Sequence, residues 1–333
     1  MLGKKLDIEK LKRVKRIVVH RNCPDGLASA MILRSALPGA EIEFVQYGPE
    51  RENLIASENM LLCDITPPSD RVQEFVNAGA IVLDHHEGSE DIVAQFGDDG
   101  VLGSTPGGES GSVLAQYEVW SRMIKHADVD AKRNIKNFAE LVGIVDTWQK
   151  DCESWEEAQA TCCALMFYGS SYFLNDRARD PWLHGPELKV GQLIYQKRQR
   201  RALNIIENNM MYTTQPGSFV IGVFEDSAAD KMVSDVAELM RQDPKLKDTV
   251  DICVGFGMVI DEEDERALPN WKFSLRSVNQ DINVNLIAQT AGGGGHPGAA
   301  GMVGDYGLED PIRMAFTLVG RGMARTDQGH GND

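Results

Sequence analysis

The sequence predicts an α/β protein in which a doubly wound parallel sheet is joined by a long helix to a smaller α/β domain with a glycine-rich loop. Three observations point there. Short apolar runs, RIVVH (16–20), MLLCDI (60–65) and AIVLDHH (80–86), alternate with stretches of helical spacing, as strands buried on both faces of a parallel sheet do. The stretch PELKVGQLIYQKRQRRALNIIENNM (186–210) reads as one helix between two such regions, a natural interdomain connector. New strand signals follow it and end in AGGGGHPGAAG (291–301).

Taken in order, RIVVH is the first strand. DGLASAMILRSAL (25–37) has helical spacing of Leu27, Ala30, Met31 and Leu37, and EIEFVQY (41–47) alternates as a strand does. PSDRVQEFVNAG (68–79) is compatible with a helix between the second and third apolar runs. GDDGVLGSTPGGESGS (97–112), rich in Gly, Ser and Pro, reads as a loop leading into the helix SVLAQYEVWSRMIK (112–125). NIKNFAELVGIVDTW (134–148) is a further helix with Asp146 near its end, and residues 149–186 have mixed helical and turn character. Beyond the connector, strands are expected at 218–224, 250–260 and 271–278, with DEEDER (261–266) as a solvated hairpin and a frayed tail from Arg321. The expected division is a catalytic domain at 1–186, a connector at 187–212, a second domain at 213–325 and a tail at 326–333.

Composition narrows the partners. With 333 residues, 42% hydrophobic and 25% charged, the chain is globular and long enough for two domains. A net charge of −16 repels polyanions, which argues against tracking long duplex nucleic acid by phosphate neutralisation and leaves room for a small anionic ligand. No apolar run reaches the ~18–20 residues that cross a bilayer. The six cysteines show no paired CxxC spacing, so the expectation is a reduced, cytoplasmic chain without a membrane partner, for which a homodimer is allowed.

The chemistry falls at strand ends, where doubly wound sheets bind ligands. His20, Asp64, Asp84, His85 and His86 all stand at or just past the carboxyl end of an apolar run. Any one of them alone reads equally well as a cap or turn residue. Several segments delivering such residues to one sheet edge suit hard divalent ions, and His20, Asp25, Asp64, His85 and Asp146 could supply a shell for two of them. In the second half, Gly292, Gly293, Gly294, Gly295 and Gly298 would let backbone N–H groups approach a phosphate. Arg276 and His296 would add charge-assisted bonds to a terminal phosphate or base. KRQRR (197–201) reads as a solvated helix face. Of the tryptophans, which could stack bases, Trp120 and Trp148 are expected to pack in the core.

VVHRNCPDGLASA, LLCDITP, VLDHHEGS and LVGIVDTW resemble the four metal-binding motifs of the DHH phosphoesterases, named for the triplet found here at Asp84, His85 and His86. FSLRS (273–277) and GGGGHPGAAG (292–301) are similar to the DHH-associated C-terminal domain, which binds substrate. The resemblance runs from about residue 16 to 305 and is of the nanoRNase, oligoribonuclease and exopolyphosphatase kind. It implies that His20, Asp25, Asp64, His85 and Asp146 are metal ligands, with Asp64 as the bridge. Asp84 would orient the His85 imidazole, and His86 would point toward the scissile phosphate, where a water activated by two cations attacks phosphorus. The first motif departs from the family's His-x-x-x-Asp-x-Asp-Gly. Here it is His20-Arg-Asn-Cys-Pro-Asp25-Gly26, one residue shorter, with Cys23 where the first Asp belongs and thus a further candidate ligand.

The resemblance therefore implies a hydrolase dependent on Mn²⁺, with one or two ions and with Mg²⁺ or another divalent ion as an alternative. It would cleave short oligonucleotides or dinucleotides to 5′-mononucleotides. A phosphomonoesterase on 3′-phosphonucleotides, a polyphosphatase or a cyclic-dinucleotide hydrolase would carry the same motifs. The reading from a different class is a nucleotide sensor that has lost catalysis with the first carboxylate, separated from the enzyme by turnover of a chromogenic diester with Mn²⁺.

Overall fold

The apolar runs of the first half pair as a parallel sheet in a computed structural model that describes residues 6–86, 88–103, 109–175, 180–214, 219–226, 231–259, 270–304 and 310–329, with the backbone alone at His296 and at 323–329. The strands are β1 (Arg16–His20), β2 (Glu41–Val45), β3 (Met60–Cys63), β4 (Ile81–Asp84) and β5 (Gly100–Leu102), in the order β2-β1-β3-β4-β5. All four pairings are parallel. The two-residue period of a strand divides the buried side chains between two cores. Ile17, Val19, Leu61, Ile81 and Leu83 face one core, which holds Leu27, Met31 and Ile32 of the helix Pro24–Ala36 and Phe138 and Val142 of the helix Val129–Asp146. Val18, Met60, Leu62 and Val82 face the other, with Val72 and Phe75 of the helix Val72–Asn77. Helices on both faces make the sheet doubly wound, as the sequence predicts.

The chain divides into two compact units, Met1–Tyr195 and Gln196–Asp333. The division falls inside the helix Gly185–Asn204, which continues through a π turn at Ile205–Asn209. On its second half Arg198 pairs with Asp235. The second unit holds a six-stranded sheet of β6 (Met211–Thr214), β7 (Val220–Glu225), β8 (Ile252–Val259), β9 (Asn270–Ser277), β10 (Gly294–His296) and β11 (Ala299–Gly304), ordered β10-β11-β9-β8-β7-β6. Only β7 and β8 run parallel. One face packs on Val284, Ile287, Ala315 and Val319, the other on Val233, Val236 and Met240.

Several local expectations differ from the structure. The stretch 97–112 contains β5, three residues whose pairing with β4 supplies what its own period is too short to signal. The glycine-rich segment is a β-hairpin, β10 and β11, at one end of the second sheet. The C-terminal helix Pro311–Gly329 runs through the stretch expected to fray, because Gly322 is buried where a Cβ would come within 2.7 Å of Ile287 Cγ2, anchoring it late. In 149–186 lies the helix Trp155–Leu174, bent at Gly169 with φ 72°. DEEDER lies outside the described residues. No helix among the described residues is long and apolar enough to cross a membrane.

Candidate metal centre

In the order β2-β1-β3, the chain leaves β1 toward one side and returns to β3 on the other, so the carboxyl ends of β1 and β3 flank the crevice where such sheets bind ligands. His20 is the last residue of β1 and Asp64 the first after β3. Asp64 has φ 61°, a left-handed conformation that costs a non-glycine residue about 1–3 kcal/mol and that tends to persist at functional sites. Asp84 ends β4, with His85 and His86 directly after. Asp25 lies in the first turn of the helix that follows β1, and Asp146 ends the helix Val129–Asp146.

These residues converge. His85 Nε2 lies 3.3 Å from Asp64 Oδ1, 3.0 Å from Asp146 Oδ2 and 3.9 Å from Asp25 Oδ2. One potential donor atom from each of Asp25, Asp64, His85 and Asp146 falls within a 4.8 Å cluster, His20, Cys23 and Asp64 form a second, and Asp64, His85 and His86 form a third. Asp64 belongs to all three. Cys23 thus stands with the donors, as expected if it occupies the place of the missing carboxylate.

Asp84 differs from expectation. Its Oδ1 lies 2.8 Å from His86 Nδ1 rather than against His85. The strand ends at Asp84, and the His85 and His86 rings lie side by side with centroids 4.6 Å apart. His86 also lies near Tyr47, whose hydroxyl is 3.5 Å from its Nδ1, and the ring centroids of His20 and Tyr47 are 4.9 Å apart.

Electrostatics follow from burial and crowding. Burial, with Asp146 and Asp64 adding repulsion, pushes the Asp25 carboxyl up to about 7. Burial also acts upward on Asp64, but contacts with His20 and His85 outweigh it and hold that carboxyl below the ordinary range. Burial disfavours the charged form of His85; its bonds to Asp146 and Asp64 prevail and raise it to about 11. For His86, burial is outweighed by the bond to Asp84, and its pKa rises. The Cys23 thiol is pushed well up by burial and the surrounding carboxylates.

A cation fits this arrangement. Asp25 Oδ2, Asp64 Oδ2 and His20 Nδ1, all from residues of these clusters, are buried without a hydrogen-bond partner, although buried acceptors are nearly always paired. The carboxylates of Asp25, Asp64 and Asp146 with the His85 imidazole form a hard donor set of the kind that holds Mg²⁺ or Mn²⁺.

Sequence reasoning missed the residues that hold these donors. Ser110 Oγ donates to Asp25 Oδ1 at 2.7 Å and the Ser112 backbone N–H donates to the same oxygen at 3.0 Å, leaving Oδ2 free for the cluster. Gly111 between them could not carry a Cβ, which would lie 2.6 Å from Asp64 Cβ and 2.7 Å from Asp25 Oδ2. Gln46 Oε1 lies 3.0 Å from His20 Nε2. Their only sequence signals were the start of a helix and the end of a strand. Trp148, expected in the core, is 55% exposed at φ 56°, just past the end of its helix where helical spacing no longer applies.

In the second unit the register aligns His296 with Ala299, Ala299 with Arg276 and Arg276 with Cys253 in one cross-strand row. Arg276 is partly buried, with Nε donating to Ser234 Oγ at 3.0 Å and Nη1 to the Leu275 carbonyl at 2.8 Å. Gly293 and Gly295 are required by the hairpin itself, where a Cβ would meet Gly301 O at 2.2 Å and Ala299 O at 2.5 Å. Gly294 has only Asn285 Oδ1 at 3.9 Å before it, so a ligand could approach its backbone.

Residues 217–316 match the family model of the DHHA1 domain. No curated protein matches the chain significantly. The solved DHH domain of a member of a ribosomal-protein family is 11% identical over 92% of this chain and 87% of its own, with a TM-score of 0.56. CDC45 from Entamoeba histolytica is 8% identical over 95% of this chain and 97% of its own, at 0.50. A pGpG-specific phosphodiesterase from Vibrio cholerae is 14% identical over 93% and 99%, at 0.48. The Asp84-His85-His86 triplet thus stands at the end of β4 in a fold shared with a solved DHH domain, and residues 217–316 of the same chain match the DHHA1 domain.

Proposed function

We propose that the chain is a Mn²⁺-dependent hydrolase that cleaves the phosphodiesters of short oligonucleotides or linear dinucleotides and releases 5′-mononucleotides. The observation that carries this reading is Asp64, the one residue common to the cluster of Asp25, His85 and Asp146 and the cluster of His20 and Cys23, as a ligand shared by two neighbouring cations must be. Asp25, Asp64, His85 and Asp146 would hold one ion, and His20, Cys23 and Asp64 the other. When bound, such a pair supplies Lewis acidity toward a phosphoryl oxygen and lowers the pKa of an attacking water.

The chain's own residues provide the rest. Ser110 and Ser112 keep Asp25 turned so that one oxygen faces the cluster. Asp84 fixes the ring of His86 through Nδ1, which leaves Nε2 to contact a phosphate or carry a proton to the leaving oxygen. In the second unit, Arg276 and the Gly293–Gly295 backbone offer donors suited to a phosphate or base, with His296 beside them in the register. The net charge of −16 favours short substrates over long polyanions.

The test is a panel of di- to decanucleotides, cyclic dinucleotides, 3′-phosphonucleotides and polyphosphate, incubated with added Mn²⁺ and followed by product analysis. Fastest release of 5′-mononucleotides from the shortest linear substrates supports the reading. Preference for any other substrate class overturns it, and binding without turnover at every Mn²⁺ concentration marks a nucleotide sensor.

A further inference from the structure

The two donor clusters that share only Asp64 are chemically unequal. One offers three carboxylates and an imidazole, the other one imidazole, one thiol and the shared Asp64 carboxylate. In the second, the imidazole is held in a ligating form. Gln46 Nε2 donates to the Arg21 carbonyl at 3.2 Å, and Gln46 Oε1 accepts from the Tyr47 backbone N–H at 2.8 Å, so the amide has one orientation. Its Oε1 faces His20 Nε2 at 3.0 Å, and that nitrogen therefore carries a proton. Nδ1 is then the nitrogen that would face a metal.

Nδ1 points at Asp64 Oδ2, at 3.6 Å, and both atoms are buried without a hydrogen-bond partner. A cation placed between these two atoms would take the place of a proton shared along the contact. Cys23 supplies the third donor. It is the N-cap of the helix Pro24–Ala36, where its sulfur faces the Gly26 backbone N–H, and an anionic ligand is favoured at that terminus. Three protein donors from N, S and O leave a fourth position open, which is the pattern of a zinc site able to take a water or a substrate oxygen. Thiolate sulfur ranks Zn²⁺ and Co²⁺ far above Mn²⁺ and Mg²⁺, which the carboxylate-rich cluster suits.

We propose that His20, Cys23 and Asp64 form a zinc-selective site, oriented by Gln46, beside a Mn²⁺ or Mg²⁺ site made by Asp25, Asp64, His85 and Asp146, so that the centre is heterobimetallic. This rests on the metal-dependent hydrolase reading above and refines which ions it uses.

Co²⁺ is the probe. The full chain, stripped by chelation and titrated with Co²⁺, should develop a thiolate-to-cobalt charge-transfer band in the near ultraviolet. Stoichiometric Zn²⁺ should remove the band and excess Mg²⁺ should not. Cys23→Ser, folded by circular dichroism, should lack it. After incubation with equal Zn²⁺ and Mn²⁺ and desalting, the wild type should keep both metals, and Cys23→Asp should shift the Zn²⁺/Mn²⁺ selectivity toward Mn²⁺ by about tenfold or more. No band in the folded wild type, the same spectrum in Cys23→Ser, or unchanged selectivity in Cys23→Asp overturns the proposal. Dinucleotide turnover is measured separately. Turnover without the band removes this inference and leaves the hydrolase reading standing, whereas the band without turnover under any metal combination keeps the site and removes the hydrolase.

Discussion

Adding one methyl group at Gly111 should weaken metal binding without replacing a ligand. The new Cβ would lie 2.6 Å from Asp64 Cβ and 2.7 Å from Asp25 Oδ2, whereas carbon–carbon contacts settle at about 3.5–4.0 Å. Neither neighbour can yield. Asp25 Oδ1 is held by Ser110 Oγ and the Ser112 N–H, and the Asp64 backbone N–H is bonded to the Leu83 carbonyl at 2.9 Å. The backbone at 110–112 must move instead, which pulls both donors off Asp25. Overpacking of this kind costs about 1–3 kcal/mol, or roughly 3–10 °C in the melting temperature of a unit this size. Because the displaced donors orient a ligand, Mn²⁺ affinity should fall by about ten- to a hundred-fold. Calorimetry and thermal melts of Gly111→Ala measure both quantities. Gly39→Ala, where nothing lies within 4 Å of the added atom, is the control and should match the wild type. A folded Gly111→Ala protein with wild-type Mn²⁺ affinity would show that the serine pair does not position Asp25.

Other perturbations probe other parts of the molecule. Asp64→Asn keeps the shape and tolerates the left-handed backbone, yet it removes the charge common to all three clusters. Turnover should drop below detection while circular dichroism is unchanged, and retention of more than a few per cent of the rate at saturating Mn²⁺ would refute the shared-ligand role. Arg276→Ala should lower kcat/KM on a dinucleotide by about ten- to a hundred-fold, from charge-assisted bonds worth about 1.5–3 kcal/mol. A small chromogenic diester should be hydrolysed as before, and equal losses on both substrates would mean that Arg276 supports the fold. Cys253 is fully buried, and burial pushes its thiol up to about 12, so it should resist a thiol reagent at pH 8 until denaturant opens the second unit. Rapid labelling in native buffer, located by peptide mapping, would contradict that burial.

The sheet was legible where its strands are buried on both faces. MLLC in β3 and IVLD in β4 are buried at every position, and a continuous apolar run ending in a charged residue leaves little else to infer. The donors were legible for the same reason, since each marks where an apolar run stops. β5, β6 and β10 were not, because three or four residues carry no readable period and their pairing comes from distant partners. The supporting shell was also hidden. Ser110 and Ser112 meet Asp25 across 85 and 87 residues of sequence, and no local pattern encodes such a contact. The partner of Asp84 was hidden too, because His85 and His86 lie past the end of β4, where no strand period applies.

The convergence of donors from residue 20 to residue 146 has a kinetic consequence. No short stretch of the unfolded chain holds more than a fragment of any cluster, and the full set exists only once β1, β3 and β4 have paired and the helix Val129–Asp146 has docked. A cation can therefore do little to seed folding of the first unit. Its stabilisation, about 2.7 kcal/mol at a hundred-fold excess over Kd, should appear almost wholly as slower unfolding, with the refolding rate left nearly unchanged. The ion would act as a latch set after assembly, and its loss would shorten the lifetime of the folded unit without impeding its formation.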